Sequence, residues 1–406
     1  MVEPVELRHA TVRCASALEL GPDVAVAAER AAHAAVEQMR GRVPDLALVF
    51  VAADDPDHVT YALDVASRLT GASTTLGCVA SGGLLAGDHA VQQEAGVAVW
   101  VASLPGVRLR AFHLEVLRTP ETIAVVGMPP AHDDDQVGLV LADAWSFPIE
   151  GFVDHSAVAY PGLALCGAVA AGREGAGSTR LLVDGRVVER GAVGVLLSGD
   201  VDVLTAVSQG CRPVGPVMTV TGVDGNLVTS LAGAPAAERL SAVVAELDPD
   251  DQALATRGLH LGVARDEYVT EPDQGDYLVR GILGVDRTSG VVAVGDALEV
   301  GQTVRFQLRD ADAASADLVT TLGRLRRDPA SSRAAGALVF SCNGRGTGLF
   351  ATVDHDATTV AHAFPGAPLA GFFAGGEIGP VAGRNHLHAF SASVVVFCGA
   401  QDADVG

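Results

Sequence analysis

Short continuous apolar runs, each stopped by acids or by a glycine turn, recur along this chain in one order, and that recurrence restricts the fold more than any other feature. LALVFVA at 46–52 runs into the acids of DDPD, TTLGCV at 74–79 runs into ASGG, and GVAVWV at 96–101 follows. The order returns with TIAVVG before an acidic HDDDQ, then LALCGAVAAG and AVGVLLSGD. It returns a third time with GALVFSC, PLAGFFAGG and FSASVVVF. An apolar run without alternation reads as a strand covered on both faces. The alanine-rich segment 22–41 predicts a helix entered at Pro22 and closed by Gly41, and a second helix follows over 58–69. The fold class expected is α/β, with similar strand-helix-strand units, mixed sheets, and post-strand loops converging where ligands bind.

The 406 residues, 49% apolar and 19% charged, suffice for a globular core spread over two or three domains. Aromatics are only 4%, so the interior is built from Ala, Val and Leu. Lys and Arg number 27 against 49 Asp and Glu, a net charge of -22 that repels phosphate backbones and anionic membranes. No nucleic-acid or membrane partner is expected. The chain contains no lysine, which removes Schiff-base, pyridoxal-phosphate and P-loop chemistry. Six cysteines without a C-x-x-C pair predict reduced thiols in a cytosolic protein and no structural zinc. The N-terminus lacks a leader pattern. Two charge-free stretches, 155–172 and 357–376, approach membrane-span length, but Pro161, Gly162, Gly167, Pro365, Gly366 and Pro368 break them into turns around short buried strands.

Between the second and third copies, segment 208–240 reads as hairpin-like strands and then a helix. Segment 276–310 alternates strands with Gly, Asp and Ser turns, and 315–327 is an amphipathic helix with basic residues at its end. The organisation expected is an N-terminal segment with a helix over 1–44, one domain over 45–240 and a second over 241–400.

The series GCVASGG, GCRPVGPVMTVTG, YLVRGILGVD, EVGQTVRFQLRDA, ALVFSCNGRG and GFFAGGEIGP, closed by Leu387, His388 and an apolar strand, resembles the FIST family, named for F-box and intracellular signal transduction proteins. Both the N-terminal and the C-terminal FIST regions are represented. The resemblance implies a cytosolic sensory protein that binds a small ligand such as an amino acid or a small organic acid. With too few residues for an output module, it signals through a partner protein, and a homo-oligomer is compatible with the pattern. One bacterial branch of the family uses heme to sense nitric oxide. Ala389 and Phe390 stand where relatives carry polar residues after the Leu-His pair.

The segment Ser341, Cys342, Asn343, Gly344, Arg345, Gly346 follows a buried strand, and its backbone N–H groups are expected to form an anion-binding nest beside the arginine. Arg345 suits a ligand carboxylate, which a guanidinium grips with two parallel hydrogen bonds. The alternative is a tight turn whose arginine pairs with an acid such as Glu377. Glu377 needs a partner wherever it is buried, either a ligand ammonium or an ion pair with Arg345 or Arg384. Ser81, Gly82 and Gly83 are expected to line the opposite side. Cys342, His388 and Glu377 are also the residue types of a thiol enzyme, against which stands a cysteine packed as a small hydrophobe. His386 and His388 share a strand face without a third metal ligand in view. Non-covalent heme would need an axial histidine such as His155 or His362; both lie in apolar segments where a core role is commoner. The acids Asp54, Asp55 and Asp57, and Asp133 to Asp135, could invite a hard cation, but helix caps and solvated loops account for them more simply.

Overall fold

The computed structural model describes residues 11–119, 122–269 and 272–399; the opening residues, read as carrying no leader, lie outside them. Three α/β units account for most of the chain. The first comprises β1 (Arg13–Leu20), α1 (Val24–Gln38), β2 (Leu46–Ala52), α2 (Pro56–Thr70), β3 (Thr74–Val79), the hairpin β4 (Leu84–Ala86) and β5 (His89–Val91), and β6 (Gly96–Ser103). The second comprises β7 (Val107–Arg118), β8 (Ile123–Val126), β9 (Asp135–Asp143), α3 (Ile149–Ala159), β10 (Ala164–Ala170), the hairpin β11 (Leu181–Val183) and β12 (Arg186–Val188), and β13 (Ala192–Gly199).

The third unit opens with β14 (Asp202–Gln209) and is then interrupted by β15 (Cys211–Asp224), β16 (Leu227–Leu231), β17 (Ala234–Pro235), α4 (Ala236–Glu246), α5 (Pro249–Arg257), β18 (Leu259–Ala264), β19 (Tyr277–Asp286), β20 (Val291–Val294) and β21 (Thr303–Arg309). It resumes with α6 (Ala311–Leu325), β22 (Ala334–Cys342), α7 (His355–Ala363), β23 (Leu369–Ala374), the hairpin β24 (Glu377–Val381) and β25 (Arg384–His388), and β26 (Ser391–Cys398).

Each unit forms a mixed sheet in the same order. In the first it is β1-β6-β2-β3, in the second β7-β13-β9-β10, and in the third β14-β26-β22-β23. The hairpin that follows the last of these strands leaves its own sheet. The first unit's β4 pairs with β23 of the third, the second unit's β11 pairs with β3 of the first, and the third unit's β24 pairs with β10 of the second. The exchange is cyclic, so each sheet is completed by another unit. Local composition predicts strand and turn here but not which sheet receives the hairpin.

Continuous apolar runs become doubly buried strands, as expected. Leu46, Leu48 and Phe50 of β2 face a core shared with Leu139 of β9 and Phe340 of β22, where Phe50 meets Phe372 at 5.1 Å and Phe340 at 6.3 Å. Ala47, Val49 and Val51 face the alanine stripe of α1 and the apolar face of α2. Asp23 and Asp55 cap these helices by accepting backbone N–H bonds. A glycine at one matching place lets each parallel pair close. A Cβ on Gly77, Gly167 or Gly371 would lie 2.4, 1.9 or 1.7 Å from the carbonyl oxygen of Val49, Val140 or Val339 on the neighbouring strand.

Some local readings need correction. TIAVVG, expected as the strand matching LALVFVA, is β8 at the edge of the second sheet; the match is β9, which pairs in parallel with β10 as β2 does with β3. The charge-free stretches 155–172 and 357–376 each begin in helix, and His155 and His362 lie exposed on α3 and α7 rather than in the core. No helix among the described residues is long and apolar enough to cross a membrane. β1 and α1, from the segment set apart at 1–44, belong to the first sheet and its helical layer.

The interruption is an antiparallel barrel ordered β15-β21-β18-β19-β20-β16, closed by pairing of β16 back to β15. Val220, Leu261, Val292 and Phe306 lie in its core. Leu240, the end of the expected first domain, falls inside α4, and barrel strands come from both sides of it.

Candidate functional site

The three post-strand loops meet. Ser81 donates from Oγ to the Ala171 carbonyl of the second unit. Gly82 lies against the third unit, where a Cβ would be 1.7 Å from Asn343 Oδ1 and 2.5 Å from the Phe373 carbonyl oxygen. Gly375 donates to Val169 at 3.0 Å, and Val169 donates to Gly376 at 2.9 Å. The sequence-predicted residues Ser81, Gly82, Asn343 and Gly376's neighbour Glu377 therefore share one region. Gly83 packs beside Val91 of its own hairpin.

The expected anion nest is not formed. The N–H of Asn343 donates to Ala374 at 2.8 Å, that of Gly344 to Cys342 Sγ at 3.5 Å, and that of Arg345 to the Cys342 carbonyl at 2.8 Å. Arg345 is fully buried, and its two-pronged grip is taken by Asp356, with Nε to Oδ2 at 2.7 Å and Nη2 to Oδ1 at 2.8 Å. Phe350 stacks on the guanidinium with its ring centre 5.1 Å away. Burial alone would raise the Asp356 carboxyl, but Arg345, with His355 and Ser341, overcomes that and holds it well below the usual range. The ionic partner of Arg345 is thus Asp356 and not Glu377. One arginine atom stays free: Nη1 is buried with no hydrogen-bond partner.

Glu377 occupies the start of β24, paired in the second sheet with Ala168. Its carboxyl reaches back to the third unit, where Oε2 accepts from Ser391 Oγ at 2.7 Å and from Ser391 N at 3.3 Å. Oε1 is buried and unpartnered. Burial pushes this carboxyl up to about 8 against the lowering effect of Ser391 and Arg345, so it is largely protonated at neutral pH. Its expected partner Arg384 lies exposed on β25. Burial, reinforced by the nearby Glu377 carboxyl, drives the Cys342 thiol up to about 12.

His388 is opposite Glu377 in the β24–β25 register, but its Nε2 bonds the Gly379 carbonyl at 3.1 Å. Burial lowers it to about 3. No hydrogen bond joins it to Cys342 among the described residues, and a neutral thiol without a base on it is poorly set for thiolate attack. The rings of His386 and His388 are 5.9 Å apart, and the described residues hold no cluster of three or more His, Cys, Asp or Glu that would fit a metal. All six cysteines are free and buried. A surface groove of about 880 Å³ lies elsewhere, at the second unit, lined by His113, Asp143, Trp145, Ser146 and Arg190.

Sequence reasoning missed Asp356, which lies eleven residues beyond Arg345 and carries no spacing signal. It also missed a row on the barrel, His260, Gln307 and Arg309, which adjoins the Arg345 loop. The alternation in VRFQLR at 304–309 was the available cue, since a period of two marks one polar face on a strand.

Comparison with known proteins agrees with this architecture. The FIST N domain matches residues 45–234 and the FIST C domain matches residues 236–380, meeting within the barrel. An uncharacterized protein of Mycobacterium tuberculosis is 41% identical over 386 residues, covering 95% of this chain and 100% of its own length. An uncharacterized protein of Mycobacterium bovis is 41% identical over 377 residues, covering 93% and 96%. Domains of this kind are consistent with a sensor of signal transduction. With both domains matched over most of its length, the chain belongs to the FIST family.

Proposed function

We propose that this protein is a cytosolic sensor that reversibly binds an amino acid or small organic acid where the third unit's loops meet the barrel, and signals through a separate partner protein. One observation carries the reading: Arg345 Nη1 and Glu377 Oε1 are buried, unpartnered and held by adjoining segments. A buried polar group without a partner costs about 1–3 kcal/mol, so the fold retains a demand that a polar ligand meets. Glu377 sits on a hairpin that completes the second sheet while its carboxyl bonds the third unit. Engaging it favours one arrangement of those sheets over another, which a sensor requires. Free buried cysteines fit a reducing compartment.

A thermal-shift screen of the full chain against amino acids, organic acids, nucleotides and hemin tests the reading. Ligand at about 100 times its Kd stabilises by about 2.7 kcal/mol. A selective shift with an amino or organic acid that Glu377→Gln weakens supports it. A shift with hemin alone, accompanied by a Soret band, replaces it with heme sensing, and no shift with any compound overturns it.

A further inference from the structure

We propose that His260, Gln307 and Arg309 of the inserted barrel form the second wall of this site and that the ligand is a small dicarboxylate. The inference rests on the ligand-binding reading above and names the ligand class.

The wall follows from strand register. His260 on β18 is directly opposite Gln307 on β21, and Arg309 lies two residues along β21, so the three side chains share a face. The Gln307 amide lies over Gly262, where a Cβ would approach its Nε2 to 2.5 Å. The row is applied to the loop that carries Arg345. The His260 ring stacks on Phe390 at 4.0 Å, and the Arg309 guanidinium lies 5.4 Å from the same ring. Arg309 Nη2 donates to the carbonyls of Gly344 and Gly348, the second at 3.1 Å.

Its hydrogen-bonding capacity is unspent. Both ring nitrogens of His260, both amide atoms of Gln307 and Nε of Arg309 are buried without partners. Such a concentration within one register pair and its neighbour is unusual, because buried polar atoms in folded proteins are nearly always satisfied.

The unpaired set is rich in donors on two sides. Arg345 Nη1 is free on the third unit and Arg309 Nε on the barrel, and among the described residues Arg309 bonds to carbonyls and to no carboxylate. Asp356 already matches the charge of Arg345, so its Nη1 offers a hydrogen bond rather than an unmatched charge; one carboxylate of the ligand meets Arg309 and an oxygen of the second accepts from Arg345 Nη1. An amino acid would bring its ammonium beside the Arg309 guanidinium, where like charges repel, and burial disfavours the charged form of the Glu377 carboxyl that would have to offset this. His260, lowered by burial and by Arg309 to about 4, is neutral and keeps one acceptor nitrogen. With Gln307 Oε1 it suits a ligand hydroxyl, so a hydroxy-dicarboxylate binds more tightly than its unsubstituted parent.

Calorimetric titration of the full chain with acetate, alanine, succinate and malate decides the matter. The expected result is at least tenfold tighter binding of succinate than of acetate or alanine, with malate tighter still. Arg309→Gln should then lose at least tenfold in succinate affinity. Alanine binding as tightly as succinate overturns the dicarboxylate and leaves the sensor reading standing. Unchanged succinate affinity in a folded Arg309→Gln protein overturns the barrel wall. No binding by any of the four, or by the wider screen, overturns both. Should Arg309→Gln fail to fold, Arg309→Lys serves instead, since it keeps the charge and removes Nε.

Discussion

Arg345 and Asp356 form a two-pronged ion pair with almost no contact with solvent, at 2.7 and 2.8 Å, joining the loop after β22 to the first turn of α7. Removing one partner of such a pair leaves an uncompensated buried charge, which costs about 3–5 kcal/mol. Asp356→Asn should therefore lower the denaturant midpoint sharply. The double change Arg345→Met with Asp356→Leu removes both charges and should recover most of the loss. Equal destabilisation by the single and the double changes would show that packing, not charge, holds the loop.

Stability should depend on pH through Glu377. Its folded value, about 8, lies above its ordinary 4.5, so its stabilising contribution is fully present below 4.5 and is lost as pH rises to 8. His260, His386 and His388, lowered by burial, act in the opposite sense, losing stability as pH falls below 6.5. Subtracting Glu377→Gln from the wild type isolates the first effect. The difference in Tm should shift against the wild type between pH 5 and 8; a flat difference would place Glu377 in water or in a permanent ion pair.

Cys342 should be unreactive. With its thiol raised to about 12, the thiolate fraction at pH 8 is on the order of one in ten thousand. Alkylation followed by peptide mapping should label it only after unfolding. Rapid labelling of the native protein would restore the thiol-enzyme reading.

The same substitution should have opposite signs at two glycines. Gly371→Ala forces a Cβ to within 1.7 Å of the Val339 carbonyl oxygen, separating β22 from β23, and should cost about 1–3 kcal/mol or more. Gly323→Ala, in α6 with open space around it, should gain about 0.4–1 kcal/mol. Thermal denaturation of the two variants measures both.

Part of the candidate site was legible. The glycine turns after β3, β10 and β23 marked where loops converge, and a carboxylate in an otherwise apolar run singled out Glu377. Arg345 was identified as important but given the wrong partner, because an ion pair depends on where α7 packs and not on spacing. The barrel row was missed since its significance arises only when that face is pressed against Phe390 and Gly344.

Sequence alone determined the α/β class, the repeated units and the two-sided burial of their strands, because apolar periodicity and turn residues act over a few neighbouring positions. β6 and β7, separated only by residues 104–106, enter different sheets. Tertiary structure alone decided the cyclic exchange of hairpins, the closure of the barrel and the pairing of Arg345 with Asp356. The three hairpins are short and each turns at a glycine, Gly87, Gly185 or Gly383, so local pattern does not assign them among three sheet edges. Only the packing of all three sheets around one core selects which hairpin reaches which edge.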